Sequence, residues 1–341
     1  MPHQHVYPTN YKFAADRYPV LIKNIRKEQD LWRCFVLDLD ILEIWPEVRI
    51  SPFGVVEKGD ADPLTSGRVI HDLSFPEGAS INDATDATSI CTPVFEPCDA
   101  IAVEILRQRR HHPDVKIQLQ AGDVASAFLN VCTHSQSAYL FGGRLLPDNA
   151  MAIDTSAAFG WSGSPASYGI IGGAIAHIHG SSINSLRPPG PFNYYWVDDH
   201  INVAADIGSN CADVERSLRG AMVTVLGHGA INEAKFTPWC PRQKALGLIF
   251  DSQAGTVAMP ASKIRVAQTV VAAALERTSL RRSDYRSLLG RLRHVATCVR
   301  PARPFLQRLC QQERHLRRWQ HVPVTEDMRA DLRWWLSILR S

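Results

Sequence analysis

Two apolar runs, FNYYWV at 192–197 and HINVAA at 200–205, are separated only by Asp198 and Asp199. Runs of that length divided by two residues predict a β-hairpin. Adjacent carboxylates at its tip repel each other, and an aspartate pair is not a preferred two-residue turn. A hard divalent cation, Mg²⁺ or Mn²⁺, is the usual compensation for such oxygen donors. A solvated acidic turn is the other reading of the same two residues.

A third acid lies upstream. Between Lys116 and Val124 the alternation of Ile117, Leu119 and Ala121 predicts a strand, and Asp123 falls at its end. If this strand and the hairpin are neighbours in one sheet, Asp123, Asp198 and Asp199 converge at its edge. They can then hold two cations roughly 3.5 to 4 Å apart, the arrangement used for in-line phosphoryl displacement. Taken alone, Asp123 also reads as a strand-terminal residue capping the next turn.

The remainder of the chain fits an enzyme-sized folded body. It has 341 residues, 45% hydrophobic and 21% charged, which excludes a disordered or collagen-like chain. No window reaches the roughly 18 apolar residues of a membrane span, and the start lacks the pattern of a secretory signal. An intracellular protein of cytoplasm or nucleus, with no membrane partner, is therefore expected. The eight cysteines never form a C-x-x-C pair, which argues against a disulfide framework or a zinc ribbon. The net charge of +3 hides an asymmetry. From Lys263 onward there are 17 basic and 6 acidic side chains, whereas the preceding residues hold 20 and 28. A cationic tail on an acidic body suits a polyanion partner, although a solvated Arg-rich surface reads the same way.

Residues up to about 90, broken by seven prolines, predict short strands and loops. A helix is expected from Asp99 to His111, a hairpin around Pro147-Asp148-Asn149, and a buried helix opening at Pro165. An amphipathic helix at 213–226 and a strand at 245–250 follow. Four helices, at 263–277, 283–299, 304–319 and 325–340, complete the chain.

Several segments together resemble a known family. Asp123-x-x-x-Ala127-Phe128, then Gly160-Trp161-Ser162-Gly163-Ser164-Pro165-Ala166, then Val197-Asp198-Asp199 resemble, in order and spacing, the palm motifs A, B and C of reverse transcriptases. Ser51–Lys58 and Arg68–Ser74 resemble fingers segments of LTR-type polymerases. Asn232–Phe236 and Ala245–Phe250 resemble motif D and the primer grip. The helical tail, with Met259-Pro260-x-x-Lys263, Leu288-Leu289-Gly290-Arg291-Leu292 and Asp331-Leu332-Arg333-Trp334-Trp335, is most similar to tyrosine-recombinase-type (DIRS-like) retrotransposons, then to gypsy-like LTR elements.

The resemblance implies an α+β right-hand architecture. Residues 1–115 would be an N-terminal extension and fingers, and 116–258 an antiparallel-sheet palm with part of the fingers inserted at about 130–160. Residues 259–341 would form a basic helical thumb and connection. It implies an RNA-directed DNA polymerase that uses two Mg²⁺ or Mn²⁺ ions, an RNA or DNA template with primer, and deoxynucleoside triphosphates. Asp123 and Asp198 would hold both ions, Asp199 would support them, and Lys235 would protonate the leaving pyrophosphate. Lys58 and Arg68 would clamp the triphosphate, Phe128 would exclude a 2′-hydroxyl, and Gly160 and Trp161 would face the nucleotide. Gly163, Ser164, Pro165, Leu246 and Gly247 would meet primer and template. RNase H and recombinase modules are expected in the parent element and are absent from this chain. Two positions depart from the common pattern: Trp196 replaces a tyrosine and Phe159 a glutamine. The alternative is a catalytically inactive, nucleic-acid-binding remnant.

Overall fold

The computed structural model describes residues 3–57, 62–313, 316–317 and 319–340. Lys58 lies outside them. The chain divides into two compact units, 1–100 with 120–238 and 101–119 with 239–341. A backbone bridge between Leu119 and Cys240, and the hydroxyl of Ser252 donating to Ile117 O, tie 101–119 to the segment after 239.

In the first unit, Cys34–Asp38, Ala150–Asp154 and Gly142–Leu145 form an antiparallel sheet with 150–154 at its centre, in register from Cys34↔Asp154 to Asp38↔Ala150. Phe53–Val56 pairs with Arg68–His71. Buried His71 links the two sheets: its Nε2–H donates to Gly142 O at 3.0 Å and its Nδ1 lies 2.8 Å from Asp154 Oδ2. One element was not expected, a 13-residue helix at Tyr18–Asp30. Pro19, read as a breaker, stands in the first turn, where its missing N–H has no intrahelical partner to lose and its fixed φ suits the helix. Val20, Leu21 and Ile25 then share a face that packs with Cys34, Phe53 and Val55.

The strands nearest the acids lie in the order Ile117–Asp123, Asp199–Ala205, Asn193–Trp196. His200 to Ala205 is buried at every position, so both faces of that strand are covered. The helices Ser164–Gly180 and Asn210–Leu226 pack on these strands and on each other. A polar chain threads the packing. His179 Nε2–H donates to Asn202 Oδ1 at 3.0 Å, Asn202 Nδ2 approaches Gln120 Oε1 at 3.4 Å, and Gln120 Nε2 donates to Glu215 at 2.6 Å. Every buried polar group in that row therefore has a partner, as burial requires.

The second unit is mainly helical after 260, with helices at Ala261–Leu275, Arg282–Cys298, Gln307–Glu313 and Glu326–Arg340. Its core gathers Val271, Tyr285, Leu289, Leu292 and the fully buried Trp335. The expected helix at 304–319 shrinks to Gln307–Glu313 among the described residues, preceded by a 3₁₀ segment at Arg300–Leu306 that contains Pro301 and Pro304. The expected strand at 245–250 is two strands, Arg242–Ala245 and Leu248–Asp251, because Leu246 (φ +50°) and Gly247 (φ +75°) make a tight turn between them. Among the described residues no helix is long and apolar enough to cross a membrane.

Candidate active site

The Ile117–Asp123 strand ends beside the segment 230–236. Ala125 N–H donates to Ala230 O at 2.8 Å, and Asn232 N–H donates to Asp123 O at 3.1 Å. The N–H groups of Lys235 and Phe236 both return to Asn232 O, so 232–236 is one helical turn. Residues three apart on such a turn lie side by side. Asn232 Nδ2 and Lys235 Nζ accordingly reach the two carboxylate oxygens of buried Asp123, each at 2.6 Å. Arg219 braces the turn from the Asn210–Leu226 helix, donating to Glu233 at 2.7 Å and lying 4.0 Å from the Phe236 ring centroid.

The hairpin forms, but its turn is one residue earlier than expected. Trp196 pairs with Asp199, leaving Val197 and Asp198 as the two loop residues and placing Asp199 at the start of a strand. Val197 has φ +55°, an outlier for a β-branched residue. What holds it is tertiary: Asp198 O accepts from Val124 N–H at 3.0 Å, joining the turn to the residue after Asp123. Beneath it, Gly172 lets the Ser164–Gly180 helix come close, since a Cβ there would stand 3.3 Å from Val197 O.

The electrostatics follow from this convergence. Burial, then the charge of Asp123, raise the Asp198 carboxyl above its usual range, against smaller opposing effects of Lys235 and Arg68. Burial, then Asp198 and Asp123, push Asp199 up to about 6. At Lys235, burial disfavours the charged form, but the bond to Asp123 and the charges of all three acids outweigh it and hold the ammonium above the usual lysine range. Three acids thus face one contacting ammonium in a half-buried site. The donors are hard oxygens with an excess of negative charge, which fits Mg²⁺ or Mn²⁺. Among the described residues, however, no three His, Cys, Asp or Glu side chains close on a single coordination sphere.

Arg68 is exposed, and its charge acts on Asp198. Phe128 is half-buried between Phe159 and Tyr168, with ring centroids 5.1 and 6.0 Å away. The Gly160–Pro165 segment uses its close approaches within the chain itself. Gly160 (φ +132°) lies against His71 O, and Gly163 leaves room for the Trp161 ring. Trp161 packs with Leu73, Ile81 and Phe141 and donates to Thr85 Oγ1 at 3.1 Å, so the core of this unit holds the ring. Buried Ser164 donates to Ala158 O at 2.7 Å, and Pro165 is exposed in the first helical turn. Leu246 and Gly247 belong to the second unit, where Gly247 adjoins Lys263 Nζ.

Two amides were given no role by the sequence reading. Asn82 donates to Gly160 O at 2.7 Å and accepts from Ser162 N–H at 2.8 Å, fixing that loop across about 80 residues of chain with no local signal. Asn232, three residues before Lys235, had a signal in its helical spacing.

No protein-family model matches the chain, and no curated protein does. Solved structures do. A foamy viral protease–reverse transcriptase in complex with dsDNA is similar at TM-score 0.63 and 13% identity, over 100% of this chain and 60% of that one. A dRH form with ds DNA gives 0.63 and 12%, covering 99% and 50%. The complex with RNA/DNA hybrid gives 0.62 and 11%, covering 98% and 39%. The chain therefore spans 39 to 60% of the length of these structures. At such identities the likeness is one of fold, and the fold of this chain is reverse transcriptase-like.

Proposed function

We propose that the chain is an RNA-directed DNA polymerase that extends a primer with deoxynucleotides. The observation that carries this reading is that, in a reverse transcriptase-like fold, Lys235 pairs with Asp123 while the hairpin turn bearing Asp198 is bonded to the residue after Asp123. Two Mg²⁺ or Mn²⁺ ions held by Asp123 and Asp198 would activate the primer 3′-hydroxyl and offset charge on the departing pyrophosphate.

The side chains have separable tasks. Asp199 supports its neighbour from the start of the strand. Lys235, already protonated beside Asp123, is the group to give a proton to the pyrophosphate. Arg68 binds the triphosphate as a fixed cation, with Lys58 in the same role. The Phe128 ring, backed by Tyr168, excludes a 2′-hydroxyl and so selects deoxynucleotides. Gly160 and Trp161 form the loop beside the nucleotide, Gly163 to Pro165 and the turn at Leu246-Gly247 serve template and primer, and the basic second unit contacts duplex phosphates without reading sequence. The motifs of the tail support a DIRS-like retroelement origin, and the setting is intracellular.

One observation favours a second reading, an inactive nucleic-acid-binding remnant: both oxygens of Asp123 are already engaged by Asn232 and Lys235. Primer extension on RNA and DNA templates with Mg²⁺ or Mn²⁺ separates the two. The polymerase reading expects product from the native chain and a loss of at least about 100-fold in Asp198→Asn. Tight primer–template binding with no extension by the native chain supports the remnant.

A further inference from the structure

Tyr168 lies one turn into the Ser164–Gly180 helix and is fully buried. It packs with Val124 and Ala127, and with the partly buried Phe128 and Val197. Val124 adjoins Asp123 in the chain and Val197 adjoins Asp198. Gly172, one turn onward, opens the approach, since a Cβ there would stand 3.4 Å from Tyr168 Cε1 and 3.3 Å from Val197 O. The ring thus sits directly beneath the hairpin tip, edge-on to Phe128.

The ring accounts for the packing, and phenylalanine would supply it equally well. The oxygen is what needs a reason. Among the described residues the Tyr168 hydroxyl has no hydrogen-bond partner, although a buried O–H left unpaired costs free energy. Burial, then the charges of Asp198 and Asp123, push the phenol well above its usual range, which places both acids within electrostatic reach of it.

We propose that Tyr168 is a positioning residue of the acid site, its O–H donating through one ordered water to the Asp123–Asp198 carboxylate pair. Such a donor relieves repulsion between the acids without adding a charge that competes with a cation. It also fixes one oxygen inward and so aims the other outward, as partners behind metal ligands commonly do. The proposal rests on the polymerase reading only in taking these two acids as cation ligands.

The test is Tyr168→Phe in the full chain, with Mn²⁺ binding followed by the electron paramagnetic resonance signal of the free ion. Unfolding midpoint and primer extension are measured in parallel, with Asp198→Asn as the control that removes binding. The expected result is a folded variant that binds Mn²⁺ roughly 10-fold more weakly than the native chain. Unchanged Mn²⁺ binding with a raised unfolding midpoint would make the hydroxyl an unpaired passenger and overturn the proposal. Weakened Mn²⁺ binding in a chain that extends no primer supports the role of Tyr168 while the polymerase reading fails. A native chain that binds no Mn²⁺ overturns both.

Discussion

At Gly160 the backbone has φ +132°, and a Cβ built there would stand 1.9 Å from His71 O. Neither the dihedral nor the backbone oxygen yields cheaply. Gly160→Ala should therefore lower the unfolding free energy by at least about 2 kcal/mol in a urea titration. A variant within about 0.5 kcal/mol of the native chain would show that the loop relaxes and that the close approach is not required. The residues legible from sequence were those whose chemistry is costly in place. Adjacent Asp198 and Asp199 repel, and an acid closing an apolar alternation, as Asp123 does, stands out. Asn82 and Arg219 were not legible, because an amide or a guanidinium on a polar surface costs nothing locally. Each acquires its meaning only from a partner brought near by the fold.

Among the elements, hydrophobic spacing located the Asp99–His111 helix and the strand ending at Asp123 to within a residue or so. It failed where one local feature supports two outcomes. The carboxylate pair drew the hairpin turn to 198–199, but pairing of Trp196 with Asp199 and the bond from Val124 N–H to Asp198 O set it at 197–198. Pro19 stands in the first turn of a helix where it was read as breaking an apolar stretch among short strands and loops. The contact between the Ser164–Gly180 helix and the Asp199–Ala205 strand carries a prediction of its own. His179, buried between them against Asn202 and Ser217, is pushed down by burial to about 4 from an ordinary value of 6.5. The folded chain thus keeps the ring neutral where the unfolded chain protonates it. Its contribution is complete above pH 6.5 and is lost as pH falls from 6.5 toward 4, amounting to roughly 3 kcal/mol. Denaturant titrations across that window should show a native chain losing stability with decreasing pH and a His179→Gln variant losing less by about that amount. Parallel curves would mean that His179 titrates alike in both states.

Across the whole molecule, the division into units sharpens the charge asymmetry seen along the chain. Residues 101–119 and 239–341 hold 23 basic and 9 acidic side chains, and the first unit holds 14 and 25. The helix beginning at Asp99 brings three arginines and the connection after it Lys116, so the basic unit is assembled from two separate stretches of sequence. Counting charge along the chain understates this, because the fold, not the order of residues, decides which charges share a surface. Several of these arginines are spent on local ion pairs, as Arg286 and Arg293 are on Glu313. Arg265 and Arg291 are exposed on neighbouring helices and form no ion pair among the described residues, and they suit contact with duplex phosphates. If the unit grips nucleic acid through phosphates, affinity for a DNA duplex should fall steeply with salt, by about 0.9 in log–log slope for each contact. Replacing both arginines by glutamine should then flatten the slope by roughly 2, with unchanged preference among sequences. Fluorescence anisotropy between 50 and 200 mM salt measures this, and equal slopes for the variant and the native chain would reduce those two arginines to solvated surface.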